Sequence, residues 1–217
     1  MTIGFPILTV YVATMMKPAN RPAGTSGKRQ TIRIIGGQYR RSQIPVVDAD
    51  GLRPTSDRIR ETLFNWLNYL WDGRFDDKSV LDLFAGTGAL GFEAASRGAA
   101  HVQMAETSPA ALATLRATRD KLQASQVRIN SADAFLMLKR MDASKFDLVM
   151  LDPPFAGKLF DRIFPFLPAI VKPGGLVYIE SDQPEDPGPD FPAIRQGKAG
   201  QVYYQLHERL IAPHKSE

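Results

Sequence analysis

The sequence of 217 residues contains no cysteine. That excludes disulfides, cysteine zinc sites and a cysteine nucleophile, and it is compatible with a cytoplasmic enzyme. Histidine is scarce: His101, His207 and His214 stand far apart without ligand spacing. They read as structural or surface residues, and no metal centre is expected. Residues 1–16 lack charge altogether. Their apolar part, residues 5–16, is too short to cross a bilayer and lacks the basic region that precedes a signal-peptide core. No membrane partner is expected. The favoured reading places the start of translation at Met15 or Met16, with the first residues an extension; a native peptide containing Phe5 in mass spectrometry excludes it. No internal repeat is visible, and the length suits one domain with an appendage.

Charge is unevenly distributed. Residues 17–60 hold ten Lys/Arg and three acids on a chain whose net charge is +4. This segment is therefore +7 and the remainder −3. A basic arm on a mildly acidic body points to a polyanionic partner. Residues 17–30 are rich in Pro, Gly, Ala and basic side chains, so residues 1–30 read as a flexible arm. Residues 31–72 read as a hairpin and a helix facing that partner, and residues 73–217 as the main domain. Residues 31–35 and 43–47 fit the two hairpin strands, and the loop between them carries Tyr39, Arg40 and Arg41. Basic and aromatic side chains together grip phosphates and stack on bases.

After Arg53-Pro54-Thr55-Ser56, the residues Ile59, Leu63, Trp66, Leu67 and Leu70 recur at helical spacing, with Thr55 or Ser56 as the cap. From residue 79 strands and helices alternate. Strands are expected at 80–84, 101–105, 127–130, 146–151 and 176–180, with helices at 88–97, from Ser108-Pro109, at 134–140 and at 159–170. Two final strands, 193–198 and 201–210, form an antiparallel hairpin. The fold class is α/β: a doubly wound, seven-stranded, mostly parallel sheet with an N-terminal hairpin and helix extension.

The chemistry gathers where the apolar runs end. The run 148–151 stops at Asp152-Pro153-Pro154-Phe155, because proline lacks an N–H and cannot continue a ladder. A carboxylate and unpaired carbonyls then form an acceptor-only cluster beside an aromatic ring, suited to a planar amino group on a nucleobase. Upstream, Gly86, Gly88 and Gly91 fit G-x-G-x-x-G between a strand and a helix, and Glu106 closes the next strand, placed to accept ribose hydroxyls. Taken alone this fits NAD as well as S-adenosylmethionine. Asp82 tilts the choice: a dinucleotide's pyrophosphate wants no anion there, whereas the amino and sulfonium groups of S-adenosylmethionine do. Asp133, after the third strand of the series, is placed to accept from an adenine amino group.

These motifs resemble class I S-adenosylmethionine-dependent methyltransferases that act on amino groups. More narrowly, the chain resembles the RsmD family of 16S ribosomal RNA guanine-N2 methyltransferases. The likeness covers roughly residues 31–212. It includes Arg33-Ile34-Ile35-Gly36-Gly37, the stretch from Arg53-Pro54-Thr55 to Leu67, Asp82-Leu83-Phe84-Ala85-Gly86-Thr87-Gly88, and Asp152 to Phe155. The resemblance implies S-adenosylmethionine as cofactor, held by Asp82, Phe84, Ala85, Gly86, Gly88, Glu106, Thr107, Asp133 and Ala134. It implies catalysis by Asp152, Pro153, Pro154 and Phe155, and RNA contacts from Arg33, Tyr39, Arg40, Arg41, Arg53 and Arg58. Arg53, Thr55 and Arg58 could instead meet the cofactor carboxylate. The implied partner is 16S ribosomal RNA within the 30S subunit or an assembly intermediate, met by a monomer in the cytoplasm. Rival readings are an amino-methyltransferase for adenine N6 or cytosine N4, an NAD-dependent oxidoreductase and a non-catalytic RNA-binding module.

Overall fold

The described part of the basic segment, residues 30–46 and 56–60, packs on the body. The computed structural model describes residues 30–46, 56–141, 145–153 and 159–211. Its first elements, β1 (Thr31–Arg33) and β2 (Gln43–Pro45), pair antiparallel and alternate exposed, buried, exposed. Ile32 and Ile44 face each other and turn inward. Helix α1 (Asp57–Leu70) is capped by Ser56, whose Oγ accepts from the Ile59 N–H at 3.3 Å. It buries Ile59, Leu63, Phe64 and Leu67, each worth about 1.5–3 kcal/mol when fully removed from water. Trp66 is only partly buried and stacks on Tyr204 at 5.5 Å.

Short apolar runs alternating with helices bury both faces only in a parallel sheet covered on each side. The chain continues as β3 (Ser79–Asp82), α2 (Ala89–Ser96), β4 (His101–Glu106), α3 (Pro109–Leu122), β5 (Val127–Ser131), α4 (Ala134–Leu138), β6 (Phe146–Leu151), α5 (Leu159–Ile163), α6 (Leu167–Ile170), β7 (Val171–Ser181), β8 (Ala193–Ala199) and β9 (Val202–Glu208). The seven-stranded sheet has the order β5-β4-β3-β6-β7-β9-β8. Its first five strands are parallel, and β9 joins β7 and β8 antiparallel. Side chains alternate between two cores. Val80, Met104, Met150 and Tyr178 pack with the hairpin, α1 and α2. Leu81, Val149, Leu151 and Ile179 pack with α4, α5 and α6.

Two expected elements differ. The helix expected over 159–170 is broken into α5, a 3-10 turn at Phe164–Phe166 and α6; Pro165 and Pro168 remove the donors a continuous helix needs. Strand β7 begins at Val171 rather than at residue 176, and its register against β6 shifts between Phe146 and Leu148. Gly175 permits this close approach: a Cβ there would lie 2.8 Å from the Lys172 carbonyl oxygen.

Helix α2 is buried at all eight positions, which requires cover on both sides. One cover is the sheet and the other is the hairpin, clasped by polar bonds. Glu93 is completely buried and accepts from the Ile35 N–H at 2.7 Å, the Gly36 N–H at 2.9 Å and Arg97 Nε at 2.9 Å. Ser96 Oγ donates to the Gly36 carbonyl and accepts from the Tyr39 N–H at 2.8 Å. Gly37 has φ +75°, and a Cβ there would lie 1.8 Å from the Ser96 carbonyl oxygen. Tyr39 needs correction: its ring is 8% exposed and its hydroxyl accepts from Gln126. It joins the core beneath the hairpin instead of offering a stacking face. Arg33, Arg40, Arg41 and Arg58 are exposed.

Candidate active site

The strand order reverses between β3 and β6, so the carboxyl ends of these strands border a crevice of the kind that binds ligands in open α/β sheets. Across five adjacent parallel strands, each end carries an acid: Asp133 just beyond β5, Glu106 on β4, Asp82 on β3, Asp152 just beyond β6 and Glu180 on β7. The first four are the acids singled out in the sequence. Glu180 was not singled out, although the same signal marks it: an apolar run, 176–179, ending in a carboxylate.

The glycine turn after β3 is shaped by backbone demands. Gly86 and Gly88 take positive φ, +52° and +80°. A Cβ at Gly88 would lie 2.5 Å from Leu115 Cδ2, and one at Gly91 would lie 2.4 Å from Met104 Cε. Glycine therefore serves the turn at Gly88 and helix–sheet packing at Gly91. Ala85 and Thr87 are buried, and Phe84 is half-buried against the second core.

Glu106 is organised by three backbone donors. Its Oε2 accepts from Gly86 at 2.9 Å, and its Oε1 from Thr107 and Ser108, each at 2.7 Å. That fixes the carboxylate at the mouth of the turn. Asp133 is exposed and caps α4, its Oδ1 accepting from Phe135 at 2.9 Å and Leu136 at 3.2 Å. Ala134, next to it, is buried.

Asp82 is the electrostatic centre. It is 2% exposed, and its Oδ2 accepts from the Gly91 N–H at 3.1 Å. Burial pushes its carboxyl up to about 7, and the nearby charge of Asp152 adds to this. A buried acid held beside a second acid is stabilised in its charged form by a cation. The amino and sulfonium groups of S-adenosylmethionine fit that demand, and a pyrophosphate opposes it. Asp152 is half-buried and Pro153 buried. Arg53, Thr55, Pro154 and Phe155 lie outside the described residues.

A reversed-order parallel sheet, a glycine turn, an acid on the following strand and an acidic Asp-Pro-Pro edge together define a class I S-adenosylmethionine-dependent methyltransferase. A family model described as Conserved hypothetical protein 95 matches residues 32–208. The ribosomal RNA small subunit methyltransferase D of Escherichia coli is 40% identical over 190 residues, covering 85% of this chain and 92% of that protein. The protein of the same name from Haemophilus influenzae is 34% identical over 192 residues, covering 85% and 97%. The solved structure of the yhhF protein from Escherichia coli has a TM-score of 0.75 at 35% identity, covering 83% of this chain and 99% of that one. The chain belongs to this family, the RsmD methyltransferases.

Proposed function

We propose that the protein transfers a methyl group from S-adenosylmethionine to the exocyclic N2 amino group of a guanine in 16S ribosomal RNA. It would act as a cytoplasmic monomer, without a metal, on the 30S subunit or an assembly intermediate. The observation that carries the reading is the acceptor edge at the reversal point: Asp152 and the Pro153 carbonyl beside the buried Asp82. The small-subunit target follows the names of the relatives at 34–40% identity.

Bound S-adenosylmethionine supplies an electrophilic methyl group on sulfur. Asp82 would face its cationic end, Glu106 and Thr107 the ribose, Asp133 and Ala134 the adenine, and Phe84, Ala85, Gly86 and Gly88 would line its bed. Asp152 and the Pro153 carbonyl accept the two N–H bonds of the guanine amino group. This directs the nitrogen lone pair at the methyl carbon. As the amino nitrogen takes up the methyl group, which the cofactor would give up to become a neutral thioether, the surplus amino proton leaves toward Asp152 or water. Orientation of this kind supplies about 7–11 kcal/mol of a barrier. Pro154 and Phe155 follow in sequence, and Phe155 is assigned the role of stacking on a base extruded from its RNA. Arg33, Arg40, Arg41, Arg53 and Arg58 take phosphates.

The test is transfer of tritiated methyl from S-adenosylmethionine to ribosomal RNA and to 30S particles from cells lacking the gene, followed by nucleoside analysis. Label in N2-methylguanosine of the small-subunit RNA is the expected result. Label in a methylated adenine or cytosine overturns the guanine assignment, and the absence of label overturns the activity.

A further inference from the structure

Glu180 is a carboxylate at the reacting edge that the chemistry above does not use. The last paired positions of β6 and β7 are Leu151 and Ile179. The residues that follow, Asp152 and Glu180, therefore stand side by side, both on the face shared by Met150 and Tyr178. Glu180 is 5% exposed, and its Oε1 accepts from the Tyr178 hydroxyl at 2.8 Å. Tyr178 is fully buried; burial, then the adjacent Glu180, hold its phenol well above the usual range, and Asp152 adds to this. The phenol is thus a permanent donor that orients Glu180.

Strand order sets the roles. Across the edge the acids run Asp82, Asp152, Glu180 on β3, β6 and β7. With the cofactor cation at Asp82 and the amino group at Asp152, Glu180 lies on the side away from the cofactor. It meets whatever base atom neighbours the amino-bearing carbon. In guanine the ring neighbours of that carbon are N1, which carries a hydrogen, and a bare N3, and of the two only N1 suits a carboxylate. In adenine the neighbouring ring nitrogen is an unprotonated N1 and in cytosine an unprotonated N3, and both repel a carboxylate. We propose that Glu180, held in place by Tyr178, accepts the N1–H of the target guanine and is the residue that selects guanine over the other amino-bearing bases. This inference rests on the guanine reading above.

The experiment compares two substrates that differ at one position, the acceptor guanosine or 2-aminopurine riboside in its place. The analogue keeps the amino group but carries a bare N1. Methyl transfer is measured as kcat/KM for the wild type and for Glu180→Gln, whose amide can donate to a bare N1. The readout is the guanosine to 2-aminopurine ratio, in which differences in amino reactivity or O6 contacts cancel between enzymes. Glu180→Gln is expected to lower that ratio by roughly tenfold to a hundredfold, the usual scale of a lost base-edge contact. Binding of S-adenosylmethionine is expected to stay within about twofold, since the cofactor lies on the other side of Asp152. An unchanged ratio overturns the assignment. So does loss of cofactor binding, which would make Glu180 a cofactor or fold residue. If Glu180→Gln does not fold, Tyr178→Phe gives the same readout: a lower ratio supports the role, and an unchanged one overturns it. A wild type that labels guanosine with an unchanged variant ratio refutes only this inference. A wild type that labels no guanosine refutes the guanine reading as well.

Discussion

Asp82 and Glu93 are buried carboxylates on either side of one glycine turn, and their surroundings are opposite. Glu93 on α2 faces two backbone N–H groups and the Arg97 guanidinium, all within 2.9 Å. Its charge is used up in joining the N-terminal hairpin to the sheet domain. Asp82 on β3 receives a backbone bond from Gly91 and faces a second acid, Asp152. Burial alone therefore does not distinguish a structural acid from one proposed to meet a ligand. Donor supply does: a satisfied carboxylate holds elements together, and a crowded one creates a demand for a cation.

The sharpest way to break this contrast is at its proposed catalytic end. Asp152→Asn keeps the shape of the edge but removes its charge, and turnover is expected to fall by about 10²–10⁴-fold. Cofactor binding is expected to be spared. A calorimetric titration showing that the variant no longer binds S-adenosylmethionine would contradict the role given to Asp152. On the structural side, Glu93→Ala leaves the Ile35 and Gly36 donors and the Arg97 guanidinium without their shared acceptor. A loss of about 3–5 kcal/mol in urea denaturation is expected, the usual cost of breaking a buried charged cluster. A loss under 1 kcal/mol would mean that the hairpin does not depend on this clasp.

Asp82 makes a smaller and pH-dependent difference. Asp82→Asn is expected to weaken S-adenosylmethionine binding by about 10–100-fold at pH 8, the scale of a hydrogen bond to a charged group. For the wild type the sign is set by the upward shift to about 7 from an ordinary 3.8. Protons compete with the cofactor cation, so affinity rises as pH increases toward 7 and levels off above it. Without cofactor the reverse holds. The neutral acid is the form the fold prefers, so its stabilising contribution is full below pH 3.8 and is lost as pH rises through about 7. Thermal melts of the wild type and Asp82→Asn between pH 5 and pH 8 should diverge as pH rises; parallel curves would count against a strained Asp82.

The mildest change lies on the outer face of the hairpin. The pair Arg40→Ala and Arg41→Ala touches exposed side chains only. Each lost phosphate contact should lower the slope of log affinity against log salt by about 0.7–0.9. Unfolding in urea should hardly move. Equal salt slopes for the variant and the wild type would place the RNA elsewhere.

The alternation of short apolar runs with capped helices was enough to predict a doubly wound sheet, because buried parallel strands and amphipathic helices have distinct periods. The same runs ending in Asp82, Glu106 and Asp152 marked the candidate site, since a carboxylate closing an apolar strand stands at the rim of a sheet. Local rules also narrowed the helix cap to Thr55 or Ser56, and the structure selects Ser56. They failed where a side chain's fate depends on distant chain. Tyr39 sits in a basic, loop-like stretch, yet the Gly37 turn and the Ser96 hydroxyl draw its backbone onto α2 and bury the ring. Glu93 looks like a surface acid on a short helix until the hairpin covers it. Glu180 closes a strand as plainly as Asp152 does. The β6–β7 register sets the two side by side, and the Tyr178 hydroxyl helps to hold Glu180 there. Sequence periodicity determined which elements form and which residues end them. Tertiary packing decided which acids meet donors and which meet each other, because that depends on neighbours brought together across the chain.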